Sequence, residues 1–150
     1  MKILFTKPGF EKLKKDYEIL VKTRPLAVLD LKKAREMGDL SENGYYKSAR
    51  FKLNGIDMNI RHLNFLIKFA IIASDPKKGI VGIGSKVDLK ISGKNKKYLI
   101  VGENEANPTE EKMSFLSPIG KDLIGKKAGE KINVNSPSGK MQVEIIKVIP

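Results

Sequence analysis

The sequence predicts an α+β protein in two parts. Residues 1–78 form a long antiparallel α-helical coiled-coil hairpin, and residues 79–150 form a small antiparallel β-sheet domain with one short helix. Three observations carry the α+β prediction. Phe10, Leu13, Tyr17, Leu20, Arg24, Ala27, Leu31 and Ala34 recur at alternating spacings of three and four, which is a heptad seam. Tyr46, Ala49, Leu53, Ile56, Ile60, Leu63, Ile67 and Ala70 repeat the pattern after a Gly-containing turn. Beyond Gly79 the period of the apolar residues changes to two.

Taken in order, Thr6 offers a capping hydroxyl for the first helix, and Pro8 falls in the first turn, where a missing N–H costs nothing. Arg24 is the one exception to the apolar rule of the first seam. Pro25 removes a backbone hydrogen bond, yet the heptad phase runs through it unchanged, so a bent but continuous arm is expected. Two apolar stripes joined by a short turn satisfy each other as an antiparallel pair. Arms of about 28 residues, at 1.5 Å per residue, place the tip about 40 Å from the base. The second helix loses its pattern by Ser74-Asp75-Pro76, and Lys77-Lys78-Gly79 reads as the linker.

In the second half, strands are expected around Ser85 to Ile91, Lys97 to Val101, Met113 to Leu116, Lys131 to Asn135 and Met141 to Val148. Turn clusters such as Ser92-Gly93-Lys94-Asn95 and Ser136-Pro137-Ser138-Gly139 separate them. Pro118 to Gly125 fits one short helix that packs Ile119, Leu123 and Ile124 on the sheet, with Gly125 at its end.

Composition excludes several function classes. Cysteine is absent, which removes disulfides, thiol catalysis and thiolate metal sites and fits a reducing compartment. The N-terminal apolar run is too short for a signal peptide, and no segment approaches the roughly 20 apolar residues of a membrane span. A soluble cytoplasmic protein is expected. The net charge of +12 suggests a polyanionic partner. Residues 1–79 hold seventeen Lys or Arg against nine Asp or Glu, and residues 80–150 hold twelve against eight, so the excess is concentrated in the helical half. Solubility through surface lysine accounts for the same charge.

The run from Ala34 to Tyr46 places two carboxylates, Asp39 and Glu42, at the tip of the hairpin near residues 37–43. One reading is a capping box that opens the second helix, Asp39 accepting from an unpaired N–H and Glu42 standing three residues later. Acids in a first turn also suit the helix dipole. The other is that the two carboxylates share one hard divalent cation. Mg²⁺ prefers oxygen ligands and is commonly held by one or two carboxylates plus substrate oxygens. Two carboxylates alone bind it weakly and work as a contribution to another protein's metal site.

Ala34-Arg35, two variable residues, Gly38-Asp39-Leu40, one variable residue and Glu42-Asn43 resemble the tip signature of the bacterial Gre-type transcript cleavage factors, GreA and GreB. Ile100-Val101-Gly102, Glu105-Ala106, Ser117-Pro118-Ile119-Gly120, Leu123-Ile124-Gly125-Lys126 and Val143 to Val148 are similar to that family's C-terminal domain, whose fold is FKBP-like. The resemblance covers essentially the whole chain. It implies a monomeric elongation factor that binds RNA polymerase, inserts its coiled coil into the secondary channel and stimulates the polymerase's own cleavage of the backtracked RNA 3′ segment. Asp39 and Glu42 would then be the catalytic acids that hold a Mg²⁺ of the polymerase active centre. The chain would carry no cofactor and no nuclease activity of its own. Arg35 and Arg50 match tip-proximal arginines of the family, and Lys47 and Lys52 lie on the same stretch, so these four are candidates for RNA or polymerase contact. Ser117, Pro118 and Ile119 are the candidate polymerase-docking segment.

Two departures stand at the tip. Gly44 and Tyr45 replace a good helix former and a third acid, and Gly44 costs up to about 1 kcal/mol of helix stability relative to Ala. Tyr45 is expected to pack beside the seam, with stacking on a nucleobase as the alternative. The departures keep open a Gre-like channel binder that inhibits or modulates synthesis. A basic coiled coil that binds nucleic acid through phosphates is a second alternative, and a prolyl isomerase a third, with only Tyr98 and Phe115 to line a pocket. His62 is expected on a solvated helix face, Ser136 and Ser138 in a turn, and the glycines from Gly79 to Gly84 in a linker and strand start.

Overall fold

A computed structural model of the chain describes residues 1–38 and 43–150. They fall into two compact units, Phe10–Phe69 and a second made of Met1–Gly9 with Ala70–Pro150.

The helical unit is built from α1 (Lys7–Arg35) and α2 (Gly44–Phe69). Every apolar residue of the two heptad seams is buried or half-buried, and the exposed member is Arg24. Arg24 is satisfied across the hairpin: its Nε lies 2.5 Å from Asp57 Oδ1 and its Nη2 3.3 Å from Oδ2. This ion pair, the packing of Arg35 over Tyr46, and the grooves that join Ile19 to His62 and Ala27 to Lys52 all pair residues whose numbers sum to about 80. That constant sum is the register of an antiparallel pair. α1 runs through Pro25 without a break, as the uninterrupted heptad phase requires. Leu66 is buried although it stands outside the seam.

In the second unit, β1 (Ile3–Phe5) pairs parallel with β2 (Ala70–Ile72). This pair departs from the sequence expectation, in which the second helical pattern runs to about Ser74 and residues 1–5 form no strand. Met1–Gly9 therefore belongs with the sheet unit, where the reading had placed the chain up to residue 78 in the hairpin domain. The link continues at Glu105, whose carboxylate accepts from Thr6 N–H (2.9 Å), Thr6 Oγ1–H (2.5 Å) and Gly102 N–H (3.1 Å). Thr6 Oγ1 in turn accepts from Gly9 N–H at 3.1 Å, which is the expected cap of α1.

The main sheet has the order β5-β4-β3-β7-β6, from β3 (Lys86–Ile91), β4 (Lys94–Val101), β5 (Lys112–Ser114), β6 (Lys131–Ser136) and β7 (Gly139–Ile149). Three of its pairings are antiparallel as expected, and the edge strand β5 runs parallel to β4. Residues 102–111 make the crossover that a parallel pair requires, through short 3₁₀ turns at Glu103–Glu105 and Pro108–Glu110. The alternation Val87, Leu89, Ile91 on β3 and Val143, Ile145 on β7 builds the core, joined by Ile100, Val134 and Leu123. α3 (Pro118–Leu123) contributes Leu123, and Gly125 at φ +84° ends it as the sequence predicts. The buried Ser85 accepts from Gly82 N–H at 2.9 Å, so its hydroxyl is not an orphan.

Candidate functional site

The hairpin tip is organised by Asn43. Its Nδ2 donates to the carbonyl of Ala34, 2.9 Å away, and its Oδ1 accepts from the N–H of Tyr46 at 3.1 Å. One amide thus satisfies a terminal carbonyl of α1 and a terminal N–H of α2, groups that a helix cannot satisfy by itself. Tyr46 is the third residue of α2, which makes Asn43 its N-cap. α2 begins at Gly44, its first turn holds no acid, and the capping oxygen belongs to Asn43; the capping-box reading of Asp39 and Glu42 falls on residues outside those described. The sequence signal was available, since asparagine followed by a helical run is a start signal, but the acids upstream masked it.

α1 ends with Lys32, Lys33 and Arg35 in its last turn, cations that suit the negative end of its dipole. The chain then turns through Glu36 and Met37, whose N–H groups reach back to Lys32, Lys33 and Ala34. Gly38 takes φ +119°, a backbone conformation that favours glycine. Asp39 and Glu42 lie outside the described residues. Among the described residues, no cluster of three or more His, Asp or Glu side chains could hold a metal ion.

Of the four cationic candidates, Arg35 is exposed at the end of α1 with its guanidinium 5.9 Å from the Tyr46 ring centroid, within cation–π range. Lys47 and Arg50 are exposed on the first two turns of α2, three residues apart and on the same side of it. Lys52 is set apart from them. It lines a groove of about 320 Å³ with Ala27, Asp30, Tyr45, Ser48 and Ala49. Tyr45 lines this groove but is 65% exposed, where the sequence reading expected it to pack. Its position beside the seam leaves the ring largely in solvent, and Tyr46 takes the half-buried place in the seam.

The electrostatics of the hairpin centre on one pair. Hydrogen bonding from Arg24 holds the Asp57 carboxyl below its usual range, partly opposed by desolvation and helped by the charges of Arg24 and Arg61. The pair is a positioning contact across the seam, far in sequence from the tip.

The comparison with known proteins decides the family. Residues 3–72 match the description "Transcription elongation factor, N-terminal", and residues 76–150 match "Transcription elongation factor, GreA/GreB, C-term". The chain belongs to the GreA/GreB family of transcription elongation factors. The transcription elongation factor GreA of Thermomicrobium roseum is 36% identical over 151 residues, covering 98% of this chain and 97% of the relative. That of Nautilia profundicola is 40% identical over 149 residues, covering 95% and 91%. Among solved structures, the GreA factor homolog 1 (Gfh1) protein of Thermus thermophilus is 26% identical, with full coverage of both chains and a TM-score of 0.48.

In this GreA/GreB-family chain the other candidates take clear places. Ser117 is the N-cap of α3, accepting from Gly120 N–H at 3.0 Å and donating to the Ser114 carbonyl at 2.8 Å. Ile119 packs against the sheet core. Of the three docking candidates Pro118 is the exposed one, and Leu116 beside it is also exposed, at 49%. Tyr98 and Phe115 pack against the core. His62 is exposed and borders a groove between the helices. Ser136 hydrogen-bonds Ser138 and the Gly139 carbonyl within its turn. Among the described residues no helix is long and apolar enough to cross a membrane.

Proposed function

We propose that this chain binds RNA polymerase, inserts its coiled coil into the secondary channel and stimulates the polymerase's own cleavage of backtracked RNA. Asp39 and Glu42 are the groups delivered. The observation that carries the reading is the Asn43 cap: with the N-terminus of α2 capped by an amide, the capping duty that competed for the two acids has another holder. Two carboxylates are a hard oxygen donor set that suits Mg²⁺ shared with a second protein and bind it weakly alone. Mg²⁺ held there supplies a bound water of lowered pKa and charge stabilisation for displacement at phosphorus. The chain's own residues do the positioning. Arg35, Lys47 and Arg50, exposed around the tip, supply cations for the phosphates of the extruded RNA or for the polymerase. The chain is a helper of another enzyme and acts as a monomer in the cytoplasm. Pro118, with Ser117 holding the start of α3, belongs to the segment that docks at the channel entrance.

The experiment is RNA cleavage in a stalled, backtracked elongation complex with Mg²⁺, comparing wild type with the Asp39→Asn, Glu42→Gln double variant. Cleavage is expected with wild type and lost with a variant that still competes for the polymerase. A wild type that binds the polymerase without stimulating cleavage would replace this reading with that of a channel-binding inhibitor.

A further inference from the structure

The outer face of α2 carries a second periodic pattern that the hairpin does not use. Phe51, Met58 and Phe65 recur every seven residues and are 82%, 63% and 42% exposed. Seven residues are close to two turns, so the three side chains stand in a line about 21 Å long on the side opposite the seam. Phe51 and Met58 contribute little to folding while they face water, Phe65 is also in ring contact with Phe69 at 4.9 Å, and exposed apolar side chains repeated along one helix face mark an interaction surface.

Charge says what kind of surface it meets. Lys47, Arg50, Arg61 and Lys68 lie along one flank of the stripe, within about 100° of it around the helix at 3.6 residues per turn. The single acid of α2, Asp57, is engaged by Arg24. Among the described residues none of the four cations forms an ion pair, and Arg61 alone adds its charge to the field at Asp57. We infer that the outer face of α2 docks on a protein surface that presents an apolar ridge edged by carboxylates, as an acidic amphipathic helix does. Anchors repeating at i and i+7 are how helices seat in such surfaces. A phosphate track would use the cations alone and leave the two-turn spacing of Phe51, Met58 and Phe65 without a purpose. The inference rests on the proposed function and deepens it, since the ridge then belongs to the polymerase wall that faces α2.

The test is competition for RNA polymerase against fluorescently labelled wild type, using the full chain with Phe51→Gln alone and the triple Phe51→Gln, Met58→Gln, Phe65→Gln. Glutamine keeps helix propensity, and circular dichroism confirms that the helices persist. Leu26→Gln, which removes a 65% exposed apolar group from α1, is the control. The triple variant is expected to compete at least about 10-fold more weakly and the single variant about 3-fold more weakly, with the control unchanged. Competition unaltered by the triple variant overturns the inference and leaves the function standing. So does a loss confined to single-stranded RNA binding, or to self-association seen by sedimentation, because the stripe would then serve nucleic acid or a second copy. If wild type itself does not bind the polymerase, the proposed function and this inference fall together.

Discussion

Replacing Asn43 separates what holds the tip from what the tip delivers. Asn43→Ala removes the N-cap of α2, a loss of about 1 kcal/mol. It also removes the donor to the Ala34 carbonyl. That carbonyl keeps the N–H of Met37 at 3.2 Å, so the second loss is an ordinary net hydrogen bond of about 1 kcal/mol. The sum is about 2 kcal/mol. Asn43→Asp is the sharper probe, because aspartate caps as well as asparagine but cannot donate, and it sets a carboxylate oxygen against the carbonyl. About 1 kcal/mol of destabilisation is expected there. The Asp39→Asn, Glu42→Gln double variant should stay within about 0.5 kcal/mol of wild type, because the cap of α2 is Asn43. Urea unfolding followed by helical circular dichroism measures all three. The reasoning fails if the acid variant loses as much as Asn43→Ala, which would return the capping role to Asp39 and Glu42. It fails as well if Asn43→Asp is neutral, since the bridge to α1 would then contribute nothing.

Three further outcomes are expected. A Cβ at Gly9 would fall on the Glu105 carboxylate, so Gly9→Ala should destabilise by about 1–3 kcal/mol, and combining it with Glu105→Ala should cost less than the sum, as a denaturation double-mutant cycle would show. Pro25→Ala restores one backbone hydrogen bond inside α1 and should raise stability by about 1–3 kcal/mol; thermal melting with no gain would mean the helix has already adjusted around the ring. The folded Asp57 carboxyl titrates below its unfolded value. Its contribution is therefore present above the unfolded range of about 4 and is lost as pH falls through the lowered folded value. The stability difference between wild type and Asp57→Asn should be flat from pH 7 to 5 and shrink below about 4. A difference that grows on acidification would contradict the assignment.

The exposed pair of Arg24 and Asp57 also shows why a charged residue can sit in an apolar seam. Its partner comes from the other helix 33 positions away, so the seam reads as interrupted in the sequence and is continuous in space. Such a pair contributes modestly to stability and serves the register of the two arms.

What the sequence by itself determined is whatever repeats locally. The heptad seams, the change of period near Gly79, the strands from β3 to β7, the short α3 and the glycine that ends it follow from neighbours within a few residues, because helix and strand periods are properties of the local backbone. The family signature at the tip was likewise legible. Tertiary structure decided the contacts between distant residues. β1 is three residues long and becomes a strand because β2 returns beside it; Glu105 reaches Thr6 across 99 positions. β5 pairs parallel to β4 because residues 102–111 carry the chain back over the sheet. Asn43 was visible as a residue that starts helices, but its bridge to Ala34 exists only when the two arms fold against each other. The physical reason is common to all four cases: a hydrogen-bonding group takes the partner that the folded chain brings within 3 Å, and one-dimensional periodicity does not encode that return path.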